Sequence, residues 1–533
     1  MITKGVKHMW QQKRYGLASL VLILALLVAL PAWAGGKNVF VMISDGASFG
    51  AWDAADLYTK GSTTASPYFG PEFKKYLVTT FPLNMSHTPT GDNTPQVSYD
   101  PTKAWDNTYI GGSHFFKAYE YLKQNATDSG AAVTAMATGQ KTYNNAINWG
   151  NDPKDVGAPI TPTIPELAKQ CGKAVGTISS VEWSHATPAG FSNAKNISRN
   201  NYMAIANNML SGKVMDVIMG AGHPQFNDDG IRQIVNYNDP AINDSKAKYV
   251  GGRNTWIQLN EGTHPEGWKL IQTKPDFEKL ANGTSPLLSN PANLRLVGTA
   301  EVATTLQQSR SGYAPTDKVD DDPFNKNVPT LLTMTKGAVN ALAAKSQATT
   351  DKGFFLHIEG GAVDWAAHGN QTARLIEEQR DFNQTADFVI SWIEANGGWD
   401  NNLLIITTDH GNSMPLGPDS DTKFMQRLTA ADVAGVPTVR WHSTDHTNEV
   451  VALFARGAGA EKFDQLVDGQ DPYFGIYYPD WQAKGFDGKI IDNTDIFTVV
   501  KAQVCPVPLP GSVVLMVTGI MGIIVVGRRR VQA

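Results

Sequence analysis

The chain predicts an α/β fold with a mainly parallel central sheet and helices on both faces. Short apolar runs rich in Val, Ile and Phe recur at 38–44, 174–180, 215–219, 353–358 and 403–408. Helix-like stretches at 131–138, 163–171, 329–345 and 371–396 lie between several of them. Apolar strands alternating with helices are the pattern of a parallel sheet covered on two sides. The third observation is where the polar chemistry falls. Asp45 closes KNVFVMISD, Glu359 closes GFFLHIE, and Asp409 and His410 close NLLIITTDH. Open α/β sheets place their sites at the carboxyl ends of strands.

The N-terminal 34 residues read as a leader rather than as part of the fold. Lys4, Lys7, Lys13 and Arg14 precede an apolar run from Leu17 to Leu30, and Ala32-Trp33-Ala34 offers a small-residue cleavage site. Export is therefore expected, with an N-terminal membrane anchor as the plainer alternative. At the other end, Val507-Pro508-Leu509-Pro510 precedes an uncharged stretch from Gly511 to Val526 and the cluster Arg528-Arg529-Arg530. Sixteen residues at about 1.5 Å each span roughly 24 Å, short for a bilayer helix, and the arginines would remain cytoplasmic. This tripartite tail over 505–533 resembles the PEP-CTERM sorting signals of exopolysaccharide-producing Gram-negative bacteria, with VPLP standing where VPEP is usual. The resemblance implies an exosortase-like processing partner, membrane contact before processing, and a destination in the periplasm, at the outer surface or in the extracellular matrix. A simple membrane anchor is the competing reading.

The full chain has 45 basic and 50 acidic residues. The two ends hold seven of the basic residues and no acid, which leaves a net charge of −12 between them. No basic stripe with interleaved aromatics appears, so nucleic acid is not an expected partner. Only Cys171 and Cys505 are present. Cys505 sits beside the tail motif, so no intramolecular disulfide is expected, and Cys171 reads as a small buried residue. Within the expected catalytic region, 35–504, two segments read as rim insertions rather than core: about 60–127, rich in Thr, Pro, Gly and Asn, and about 221–328.

The candidate site residues follow from spacing and from strand ends. Asp364 and His368 in EGGAVDWAAH are four residues apart, which places both on one helix face. Carboxylate with imidazole suits zinc, although a helix-surface pair is commoner for this spacing alone. Asp409 and His410 share one ion only if the strand ends there, and Gly411 supplies the break. Asp45 in ISDG repeats that arrangement. Ser129, in TDSG before the small-residue run GAAVTAMATG, reads first as a helix cap provided by Asp128 or Ser129. A hydroxyl at a helix N-terminus also lies where an anion would be held. VEWSHATPAG contributes His185 and Thr187, and Arg199 follows with a planar fork suited to two phosphate oxygens. WHSTDHTNE offers two histidines, His442 and His446, of which His446 continues the motif.

In this order, TDSGAAVTAMATGQKTYNNA, HATPAG, DVIMGAG, EGGAVDWAAH, TTDH and DHTNE resemble the alkaline phosphatase family, from about Lys37 to Val504. The resemblance implies an alkaline-phosphatase-like fold and hydrolysis of small phosphate monoesters through a phosphoserine at Ser129. It implies two zinc ions and one magnesium. Asp364, His368 and His446 match the ligands of the first zinc, and Asp409 and His410, with Asp45, those of the second. Asp45 would bridge to a third site completed by Thr187 and Glu359, with His185 in its outer shell. Arg199 would hold the non-bridging oxygens. A homodimer is compatible with this reading, and the oligomeric state is left open. A sulfatase would need a Cys or Ser in a C/S-x-P-x-R context, and neither cysteine has it. A phosphodiesterase of the same superfamily and a matrix protein using the fold as scaffold are the remaining alternatives.

Overall fold

The first strand of the sheet, β1 (Asn38–Ser44), is apolar from Val39 to Ile43 because both of its faces are covered. Phe40 and Met42 join one core cluster, and Val39, Val41 and Ile43 join another on the opposite face. The computed structural model describes residues 37–429 and 436–506. The expected leader and the apolar stretch Gly511–Val526 lie outside them. Among the described residues no helix is long and apolar enough to cross a membrane.

The sheet has eleven strands. In chain order they are β1, β2 (Lys74–Thr79), β3 (Ala174–Glu182), β4 (Val217–Ala221), β5 (Lys269–Ile271), β6 (Leu296–Thr299), β7 (Phe354–Gly360), β8 (Asn402–Thr407), β9 (Val451–Gly457), β10 (Gly469–Gln470) and β11 (Lys489–Asp492). Across the sheet the order is β10-β11-β2-β9-β8-β1-β7-β3-β4-β6-β5. From β8 to β5 every neighbouring pair is parallel. β9 runs against both β8 and β2, and β10 runs against β11. The fold is thus the mostly parallel, doubly covered sheet that the sequence pattern predicts.

The helices that matter for the site are α1 (Phe49–Lys60), α2 (Ser129–Thr138), α3 (Ile164–Gln170), α4 (Ala186–Gly190), α5 (Tyr202–Leu210), α6 (Leu331–Thr349), α7 (Ala362–His368), α8 (Thr372–Ala395) and α9 (Asp495–Val504). One core cluster joins α1, α6 and α8 to the sheet through Trp52, Met334 and Phe382. The other joins α2, α3, α5 and α9 through Met136, Leu167, Met209 and Val499. α3 begins with a capping box in which Glu166 N–H donates to Thr163 Oγ1 and Thr163 N–H donates to the Glu166 carboxylate.

Two sequence expectations need correction. The segments 60–127 and 221–328 are not simply rim insertions, because β2 lies in the first and β5 and β6 in the second. β2 opens with Lys74 and Lys75, which hid its apolar remainder; the Lys75 ammonium donates to the Gly70 and Phe73 carbonyls as its stem is buried. The second correction concerns the cysteines. Cys171 and Cys505 form a disulfide, with Cα atoms 5.4 Å apart. Each is the residue that closes a helix, Cys171 after α3 and Cys505 after α9. Those helices pack together, which brings their ends into register across 334 residues of sequence. Cys171 is accordingly half-buried rather than a core residue.

Candidate active site

Three strand ends meet at the carboxyl edge of the sheet. β1 delivers Asp45, β7 delivers Glu359 and leads into α7, and β8 leads into Asp409 and His410. β1 lies between the other two, in register with both. Gly46 allows the chain to leave β1 here. Its φ is +64°, and a Cβ on it would stand 2.5 Å from Asp364 Oδ1, so the turn demands glycine on both counts. Gly46 N–H donates to Asp409 Oδ1 at 3.1 Å, and Asp45 N–H donates to the Gly360 carbonyl at 3.2 Å.

α7 carries Asp364 and His368 on one face, with His368 Nε2 3.3 Å from Asp364 Oδ2. His446 Nε2 lies 3.5 Å from the other oxygen, Oδ1. These three side chains form one group able to hold an ion. Their far ring nitrogens are fixed by the backbone. His368 Nδ1–H donates to the Thr444 carbonyl at 2.6 Å and His446 Nδ1–H to the Thr127 carbonyl at 2.8 Å, which turns each Nε2 toward Asp364. His442 is elsewhere, paired with Ser420 Oγ at 2.7 Å and packed on Tyr119.

A second group forms around His410. Its Nε2 is 3.1 Å from Asp409 Oδ2, 3.5 Å from Asp45 Oδ1 and 3.2 Å from Ser129 Oγ. Asp45, Asp364 and His410 together form a group able to hold an ion, so Asp364 belongs to both groups, and Asp409 adjoins His410 in the second. Glu359 adjoins Asp45 and Thr187. Ser179 Oγ donates to Glu359 Oε2.

Ser129 is the first residue of α2, and the cap is Asp128. Its carboxylate accepts from Gly130 N–H at 3.1 Å and Ala131 N–H at 3.0 Å, which leaves the Ser129 hydroxyl free to face His410. The same carboxylate receives Arg199 Nη1 at 2.9 Å. Arg199 Nη2 reaches His185 Nε2 at 3.4 Å. His185 is pushed down to about 3 by burial and then by the Arg199 charge, so it is neutral and accepts that bond. Two partners therefore aim the guanidinium.

The electrostatics define what the cluster lacks. Asp45, Glu359, Asp364 and Asp409 are all buried, and among the described residues none is ion-paired to a lysine or arginine. Burial and the charges of Asp409, Asp364 and Glu359 hold the Asp45 carboxyl well above its ordinary value. Burial, then the Asp409 charge, pushes Glu359 up to about 7. For Asp364 burial is overcome by His368 and His446, and for Asp409 by His410, which holds it at about 2. Four polar atoms in this shell have no hydrogen-bond partner: Asp45 Oδ1, Thr187 Oγ1, Glu359 Oε1 and Asp409 Oδ2. Unpaired buried carboxylates and orphaned oxygens are strongly unfavourable unless cations satisfy them.

A cavity of about 680 Å³ opens onto Ser129, Arg199, Asp364, His368 and His446. The residues that the sequence assigns to the site, unlike the second histidine His442, thus lie at or beside one place in the fold. The sequence did not reveal Asn412, whose Nδ2 donates to Asp364 Oδ1 at 2.6 Å, nor Ser179, nor the double duty of Asp128. Asn412 lies two residues beyond His410, and its proximity to the motif was the available signal. The carbonyls of Thr127 and Thr444 leave no trace in residue type.

A parallel sheet that carries a helix-mounted hydroxyl, an aimed guanidinium and two carboxylate–imidazole groups at its carboxyl edge defines a hydrolase for an anionic ester. Comparison with known proteins narrows the class. The sequence profile of the alkaline phosphatase family matches residues 36–436. Alkaline phosphatase 4 of Bacillus subtilis (strain 168) is 27% identical over 65% of this chain and 75% of its own. Alkaline phosphatase of Escherichia coli (strain K12) is 27% identical over 65% and 72% respectively. The solved alkaline phosphatase of Thermus thermophilus superposes with a TM-score of 0.56 at 18% identity, covering 89% of this chain and 93% of that one. The enzyme from the Antarctic bacterium TAB5 gives 0.53 at 20%, covering 88% and 98%. The chain belongs to the alkaline phosphatase family, and it is a phosphatase.

Proposed function

We propose that this protein is an exported alkaline phosphatase that hydrolyses phosphate monoesters through a phosphoserine at Ser129, with two zinc ions and one magnesium as resident cations. The observation that carries the reading is the buried carboxylate cluster, without a lysine or arginine partner among the described residues, beside the Ser129 hydroxyl. The donor sets suit those metals. Asp364, His368 and His446, and likewise Asp409 and His410 with Asp45, offer the mixed oxygen and nitrogen ligands that zinc prefers. Asp45, Thr187 and Glu359 offer only oxygen, as magnesium prefers. A TAB5 alkaline phosphatase variant has been solved with magnesium in a site named M3. When bound, such cations supply Lewis acidity and lower the pKa of a coordinated hydroxyl or water.

The chain's own groups account for the rest. Ser129 Oγ attacks phosphorus, forming the Oγ–P bond as the bond from phosphorus to the ester oxygen breaks. In the second half, water forms the new P–O bond and the Ser129 Oγ–P bond breaks. Arg199, held by Asp128 and His185, donates in parallel to two non-bridging oxygens. The N-terminus of α2 adds free amides and a favourable dipole for the phosphoryl group. Arg199 with three hard-ligand positions favours a monoester's dianionic terminal phosphate over a diester. The disulfide between Cys171 and Cys505 supports the export reading, because such bonds persist in oxidising compartments. The test is turnover of a phosphate monoester by metal-loaded protein and by the Ser129→Ala variant. Activity abolished by the substitution, at unchanged metal content, is the expected result; equal turnover overturns the proposal.

A further inference from the structure

We propose that Lys123 forms a second anion subsite at the cavity mouth, and that it selects terminal phosphates, ester or anhydride, whose leaving group carries a further anionic group, such as a second phosphate. The inference rests on the phosphatase reading above and specifies the substrate class of the same site. Lys123 lines the cavity that also exposes Ser129 and Arg199. It is half-buried, and its ammonium makes no hydrogen bond or ion pair among the described residues. That distinguishes it from Arg199, already committed to Asp128, and from Lys141, bound to Asp492 at 2.9 Å. Burial and the Arg440 charge both lower its pKa. An uncompensated cation drawn partly out of water is stabilised when an anion arrives beside it.

The backbone that carries Lys123 is fixed relative to the phosphate site. Lys123 closes the short helix Lys117–Leu122. The preceding Leu122 carbonyl accepts Asn448 N–H at 2.8 Å, and five residues after Leu122 the Thr127 carbonyl accepts His446 Nδ1–H. Both ends of the 122–127 segment, which stops two residues before Ser129, are therefore tied to residues 446–448. A leaving group extending from a phosphoryl group on Ser129 toward this wall meets Lys123. Gln308 and Ser309 also line the cavity and are uncharged. Of the carboxylates lining the cavity, Asp128 is bound to Arg199, Asp364 faces His368 and His446, and Asp445 is exposed beside His368. The cation on this wall thus favours a leaving group that is itself negative, and its half-burial reduces salt screening.

The experiment compares kcat/KM for adenosine 5′-diphosphate, whose leaving group is anionic, with that for adenosine 5′-monophosphate, whose leaving group is neutral. The full chain, Lys123→Ala and Lys123→Arg are measured at fixed ionic strength. The expected result is a fall of about tenfold in the diphosphate-to-monophosphate ratio for Lys123→Ala, with Lys123→Arg within about twofold of wild type. Hydrolysis of both nucleotides with a ratio unmoved by Lys123→Ala overturns the subsite and leaves the phosphatase reading intact. Failure of the metal-loaded wild type to hydrolyse either nucleotide overturns both.

Discussion

Removing divalent cations leaves four carboxylates buried in one cluster, and the stability of the stripped protein falls as pH rises from about 5 to 9. The sign follows from the groups themselves. Glu359 is raised from 4.5 to about 7, so below pH 4.5 it is protonated in both folded and unfolded chains and imposes no penalty. Between 4.5 and about 7 the unfolded chain ionises freely while the fold retains the proton, and stability is lost through that window. A shift of roughly 2.5 units at 1.36 kcal/mol per unit is on the order of 3 kcal/mol. Asp45, also raised, acts in the same direction. His368 is raised to about 9, where burial is outweighed by Asp364; its contribution is present below 6.5 and lost as pH rises through 9. Because its side chain is 36% exposed, screening holds that contribution below about 1 kcal/mol. Asp409 is lowered to about 2, so its contribution disappears only as pH falls through 2 and is constant in this range. Unfolding entropy of about 2.1 cal/mol/K per residue gives roughly 1 kcal/mol/K for a body of this size, hence a drop of about 3 °C or more. The assay is thermal unfolding of chelated and metal-reloaded protein at pH 5, 7 and 9. The reloaded protein should show no such decline. A chelated protein equally stable at pH 5 and 9 would refute the reasoning that Asp45 and Glu359 lack a compensating cation.

Ser129→Ala should lower kcat by about a thousandfold at unchanged metal content, checked by steady-state kinetics beside elemental analysis. His368→Ala should lower zinc stoichiometry and melting temperature together; a full zinc complement would show that His368 is not a ligand. Asp128→Ala should raise KM for a monoester by releasing Arg199, and should destabilise by about 1 kcal/mol through loss of the α2 cap; wild-type KM would show that the Arg199 contact is incidental. Reducing the Cys171–Cys505 disulfide, or Cys505→Ser, should cost about 2–4 kcal/mol, read as a fall in denaturation midpoint with no change in kcat.

The sheet was legible where both faces are covered, because β1, β7 and β8 centre on runs of Val, Ile, Leu, Met and Phe, and β3 carries a shorter one. β2, opening on two lysines, and the short β5 and β6 were read as part of rim segments, since amphipathic or three-residue strands carry little periodicity. The acids and histidines that gather at the sheet edge were legible because such residues are conspicuous at the ends of apolar strands. The site's supporting shell was less so. Thr127 and Thr444 act through carbonyls, which every residue has, and Asp128 could be read only as a cap until Arg199 was seen beside it. The disulfide was missed because sequence separation does not report that two helix ends converge.

The most direct test of the central claim is hydrolysis of p-nitrophenyl phosphate by the full chain, before and after chelation and with zinc and magnesium restored. The account predicts turnover that chelation abolishes, that the two metals restore, and that Ser129→Ala removes in the restored sample. Turnover that survives chelation, or an inert wild type carrying its full complement of metals, would contradict it.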